Sequence, residues 1–229
     1  MAKKWWAKVL RVIGIILMGI TAVFTIMGGL GTTCVALNPN GYAGKFAGIA
    51  PYQWLYILFV VVTLAFGVMG ARATVLLVRN RPNAYRYSVI ALLGGSIVGV
   101  IHVLVSRALR GGSTPVDMVT YVNILTLIVF LIFRIPALWK EIGFGQPTSS
   151  SSTGVAGGMA SIIAGSIALT IQYWMGPTHT IDGVNYADVW HIQLQVVGWF
   201  LFAIGVAALL WASGVFSEIE SSVEIASVV

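Results

Sequence analysis

Hydrophobic and polar positions alternate along this chain in long blocks rather than in the short periods of a soluble helix or strand. Six runs of about 20 or more mostly apolar residues stand out, the length a helix needs to cross a hydrocarbon core of about 30 Å. They are Val9–Leu30, Tyr52–Val78, Tyr87–Leu109, Met118–Trp139, Ala156–Met175 and His191–Trp211. The pattern predicts an all-α, polytopic integral membrane protein with six transmembrane helices in three hairpins closed on the outer side. Arg72 and Arg134 sit near span ends, where long basic side chains reach the interface.

The connections are read by composition. Asn80–Tyr85 is short and basic, which predicts that the second and third helices are antiparallel neighbours. Residues 140–155 read KEIGFGQPTSSSSTGV, and their Ser, Gly and Pro content predicts a flexible linker. The chain then divides into a four-helix part (1–139), the linker (140–155), a helical hairpin (156–213) and an acidic tail (214–229) bearing Glu218, Glu220 and Glu224. The loops Gly31–Ala50 and Gly176–Trp190 are rich in Gly, Asn and Pro and close two hairpins on the outer side.

Composition removes the soluble alternatives. The chain is 58% hydrophobic and 9% charged, where soluble domains run near 45–50% and about 25%. Cys34 is the single cysteine, so no intrachain disulfide exists. A formal charge of +6 could suggest nucleic acid, but the basic residues flank apolar runs, as membrane loops do, so no nucleic-acid partner is expected. With the N-terminus inside, ten of the 13 Lys and Arg fall on the inner side and only Lys45, Arg107 and Arg110 on the outer. The positive-inside rule then places both termini in the cytoplasm, in a plasma (inner) membrane. The first apolar run is long for a signal peptide and ends without an A-x-A-like site, so it reads as an uncleaved helix.

Candidate chemistry is sparse. Ser88, Gly95, Gly99, His102 and Ser106 share one face of the third helix. Ser161, Gly165 and Gln172 recur on the fifth, together with Gly157 and Ala168. His191, Gln195, Gly198 and Gly205 recur on the sixth, and the fourth carries Asn123 and Thr126. Gly95, Gly99, Ser161, Gly165 and Gly198 are therefore expected helix-packing positions. The third to sixth spans are expected to form a compact bundle. Polar side chains in hydrocarbon turn toward a bundle interior or cavity, and those of the third to sixth spans cluster in the outer half. His102, Asn123, Gln172, His191 and Gln195 are thus expected to form one outer polar cluster, serving either as a ligand pocket or as a hydrogen-bonded knot between helices.

No catalytic motif is present. Paired axial imidazoles for haem would have to come from His102 and His191. A quinone headgroup could use the same His and amide donors. Asp188, His191 and His179 have no recognised metal spacing, so no metal is assigned. Intramembrane carboxylates and mid-span proline breaks are missing, which disfavours an ion-coupled transporter. The expectation is a subunit of a larger membrane protein complex, mainly structural or ligand-holding, with the lipid bilayer and other membrane subunits as partners. A small-solute transporter or permease component, and a redox subunit holding quinone or haem near the outer face, are the alternatives.

Overall fold

The computed structural model describes residues 5–42, 44–144, 150–181 and 183–213. Its helices are α1 (Trp5–Leu37), α2 (Gln53–Val78), α3 (Ala84–Arg110), α4 (Val116–Phe133), α5 (Pro136–Ile142), α6 (Ser150–His179), α7 (Tyr186–Val189) and α8 (His191–Ser213). A 3-10 turn, Ala47–Tyr52, leads into α2. Strands β1 (Thr180–Ile181) and β2 (Val184–Asn185) pair antiparallel between α6 and α7, with Thr180 opposite Asn185. Six helices are long and apolar enough to cross a membrane. The protein is an all-α polytopic membrane protein whose outward apolar side chains meet lipid. The hairpins α1/α2, α3/α4 and α6/α8 turn on one side, the hairpin face; the basic connections lie on the other, the basic face.

Three spans differ from the sequence expectation, the fifth because α6 extends it at both ends, from Ser150 to His179. The first is longer: α1 runs 33 residues, about 50 Å at 1.5 Å per residue, and absorbs Gly31–Leu37 from the expected loop. Nothing breaks it before Asn38-Pro39, and Thr32 and Thr33 bond back to the carbonyls of Gly28 and Gly29. The fourth is shorter: α4 stops at Phe133 and a separate α5 begins at Pro136. Proline disfavours helical backbone at the residue before it, and Ile135 is accordingly extended (φ −54°, ψ 127°). Residues 140–142 are the end of α5 and 150–155 the start of α6, so much of the expected linker is helical. The acidic tail lies outside the described residues.

Packing also departs from the expected bundle. Helices α1–α4 form a closed ring, each packing on the next and α4 on α1. Helix α6 packs outside this ring, on α1 and to a lesser degree α2. Helix α8 packs almost entirely on α6. The compact unit is therefore the first four spans, not the third to sixth. The reason lies in α1, which carries small residues on several sides. Gly67 and Gly70 of α2 meet Ile26 and Ala22, Gly28 faces Val119 of α4, and Gly19 faces Ala160 of α6.

The ring interior is layered. Toward the basic face, Ile15, Met18, Leu77, Leu92, Phe130, Phe133 and Phe144 form an apolar core. Phe144 lies 6.0 Å from Phe130 and 5.7 Å from Phe133, and Tyr85 donates to the Phe130 carbonyl at 2.7 Å. Arg11 seals this layer. It is 4% exposed, and its guanidinium donates to Gly143 O (2.9 Å) and Asn80 Oδ1 (2.8 Å), reaching Leu77 O at 3.5 Å. It also lies 5.4 Å from the Phe144 ring centroid. One cation thus covers carbonyls at the C-terminal ends of α2 and α5, where helix dipoles favour positive charge. At the hairpin face a second core joins Ala36, Ile49, Tyr56 and Val60.

Candidate functional site: a polar cavity inside the four-helix ring

Between the two apolar cores the ring interior turns polar. Thr21 and Thr126 share a hydrogen bond of 2.7 Å across α1 and α4. Above them, toward the hairpin face, a cavity of ≈ 30 Å³ is lined from all four helices. Its polar lining is Thr25 and Thr32 of α1, Thr63 of α2, His102 of α3, and Thr120 and Asn123 of α4. The Thr21–Thr126 pair and the aromatic layer beneath it lie toward the basic face, outside this lining.

Glycine makes room for this lining. A Cβ at Gly99 would lie 2.5 Å from Thr120 Oγ1, and one at Gly95 would strike the Asn123 amide. The Gly95-xxx-Gly99 face of α3 therefore admits two polar side chains of α4 rather than a bare helix backbone. Three of the threonine hydroxyls donate to their own helices: Thr25 to Thr21 O (2.7 Å), Thr32 to Gly28 O (2.8 Å) and Thr120 to Val116 O (2.7 Å). This back-bonding lets a hydroxyl sit in an apolar helix and leaves its oxygen lone pairs as acceptors.

His102 is 3% exposed. Its ring stacks on Phe59 at 4.4 Å and meets Tyr56 edge-on at 5.3 Å. Tyr56 is itself tied to Ser106 by a 2.8 Å hydrogen bond. His102 Nε2 is buried and has no protein partner; among the described residues Ser96 Oγ is the other such side-chain atom.

Neither a family model, nor a curated protein, nor a solved structure matches this chain. The reading of the site therefore rests on its own chemistry.

The five residues expected to form one cluster occupy two places. His102 and Asn123 line the ring cavity. Gln172, His191 and Gln195 belong to the α6/α8 seam: His191 Nδ1 pairs with Gln172 Oε1, and Gln195 Nε2 reaches Leu169 O at 3.4 Å. Because an amide oxygen only accepts, Nδ1 of His191 carries the proton in that pair. The separation follows from the ring, which places α6 against α1 and leaves α8 outside. The four lining threonines were not singled out in the sequence; their visible signal is a threonine within otherwise apolar spans, at a depth matching His102.

The packing positions also resolve into two seams. Gly95 and Gly99 face α4. Ser161, Gly165 and Gly198 lie between α6 and α8, with Gly158 and Gly205 in the same seam. Gly157 and Ala160 turn instead toward Val78 of α2 and Gly19 of α1. Helix α6 thus has one small-residue face for the ring and another for α8.

The two membrane imidazoles belong to separate packing units, so they do not form the axial pair that haem would require. No group of three or more His, Cys, Asp or Glu side chains is placed to hold a metal ion among the described residues. The side chain of His179 lies outside them.

Proposed function

We propose that this chain is a non-catalytic subunit of a larger membrane assembly, working through helix contacts within the bilayer. The observation that carries the reading is the position of α8. This helix rests on α6 along one seam and turns the rest of its surface outward. That surface includes Val196, Phe200 and Ile204, with Ala203 and Ala207 exposed between them. Small residues four apart allow close approach of another helix where lipid supplies no hydrophobic drive. The small size of the cavity, ≈ 30 Å³, supports the same reading, since a solute pathway needs space that continues past the midplane. The distribution of basic residues supports cytoplasmic termini in a plasma (inner) membrane.

Native mass spectrometry on gently solubilised membranes containing the full chain tests the assembly. The expected result is this chain within a larger complex that is lost on Ala203→Trp with Ala207→Trp. Recovery of the chain alone, at every detergent strength that preserves its fold, would overturn the reading. Labelling of Arg81→Cys and of Lys45→Cys, each in a Cys34→Ser background, from either side of sealed vesicles checks the orientation.

A further inference from the structure

We propose that the cavity inside the α1–α4 ring is a hydration site, holding one or two water molecules on His102 Nε2 and the oxygens around it. Three observations converge. The cavity is ≈ 30 Å³, and one water requires only about 10–15 Å³ of such space. Its walls are mostly apolar, but each of the four helices contributes at least one polar side chain, so a guest finds the two to four partners that an internal water needs. The third is His102 Nε2, a nitrogen on a side chain only 3% exposed, without a partner in the protein.

The donor and acceptor pattern selects water over other small guests. Thr25, Thr32 and Thr120 spend their protons on helix carbonyls and offer only lone pairs inward, so the guest must donate. The imidazole nitrogen accepts in one tautomer and donates in the other, and water satisfies both. An apolar gas would leave the nitrogen unpaired, and a larger solute exceeds the space. The seat is built rather than accidental: Phe59 and Tyr56 fix the ring plane, while Gly95 and Gly99 keep the amide and hydroxyl of α4 in place. Water here makes the outer half of the ring a wet four-helix junction and leaves the aromatic half dry.

Water-edited solid-state NMR on the full chain in lipid nanodiscs, with histidine ring nitrogens and carbons labelled, reads this directly. The chain has three histidines, and the His102 signals are assigned by their loss in His102→Phe. The expected result is magnetisation transfer from water to the His102 ring despite its burial. Absence of transfer in the unmodified protein overturns the proposal. Thr63→Leu, which fills the lining from α2, should reduce the transfer to background while helicity and monodispersity persist. Undiminished transfer in a folded Thr63→Leu protein would place the water elsewhere and overturn it equally. Should that variant fail to fold, the unmodified protein still decides.

Discussion

Replacing Gly165 by alanine should detach α8 from α6 while leaving the α1–α4 ring intact. A Cβ at Gly165 would stand 2.7 Å from Gly198 O, 2.8 Å from Phe202 N and 3.2 Å from Phe202 Cα. These are backbone atoms of α8, so no side-chain rotation relieves the contact. Carbon contacts settle near 3.5–4.0 Å, and the helices must separate by roughly 0.7 Å or more to restore that spacing. The same displacement stretches the 2.7 Å bond from Ser161 Oγ to Leu201 O beyond good geometry. Overpacking costs about 1–3 kcal/mol, and an interhelical hydrogen bond in a membrane is worth about 0.6–1.7 kcal/mol. The expected loss is therefore about 2–4 kcal/mol, concentrated in the α6/α8 hairpin. Unfolding in mixed SDS micelles, followed by tryptophan fluorescence, measures the loss. Disulfide formation between Gly154→Cys and Ala212→Cys, in a Cys34→Ser background, reports the seam itself, because a Cβ at Gly154 lies 3.0 Å from Ala212 Cβ. Gly31→Ala is the control: nothing lies within 4 Å of that position, and α1 should be unchanged or slightly more stable, as alanine favours helix by about 1 kcal/mol over glycine. Equal unfolding midpoints and equal cross-linking for Gly165→Ala and Gly31→Ala would refute the close-packed seam.

Arg11→Met should destabilise the basic face by about 2–4 kcal/mol, since charge-assisted hydrogen bonds contribute about 1.5–3 kcal/mol each and water recovers part of the loss; Arg11→Lys should restore only some of it, as measured by SDS unfolding. Thr21→Val should cost about 0.6–1.7 kcal/mol, and a double-mutant cycle with Thr126→Val should show coupling between the two; additive losses would mean that the 2.7 Å contact carries no energy. Gly99→Ala should displace Thr120 and destabilise by about 1–3 kcal/mol, with the shift visible at the Thr120 methyl in NMR spectra.

The class of this protein was legible because the bilayer imposes one demand on every spanning segment. Backbone groups must be satisfied internally and side chains must be apolar for about 20 residues, so six spans are visible residue by residue. Local rules also mark where helices stop: Pro136 falls inside the fourth expected span, and there the structure ends α4 and begins α5. What the chain alone did not disclose is which polar faces meet. His102, Gln172 and Gln195 share a depth and a chemistry, and a one-dimensional reading joins them. The packing of α1 decides otherwise. Its small residues admit α2, α4 and α6 on different sides, which closes the ring around His102 and Asn123 and consigns Gln172, His191 and Gln195 to an outer hairpin. Arg11 makes the same point. By sequence it is one of several basic residues near a membrane face; in the folded protein it reaches the carbonyl ends of both α2 and α5, segments more than 60 residues away along the chain. Depth in the membrane follows from the order of residues, since each helix rises a constant 1.5 Å per residue. Azimuth and neighbours follow from which small side chains let which backbones touch, and only the three-dimensional packing settles that.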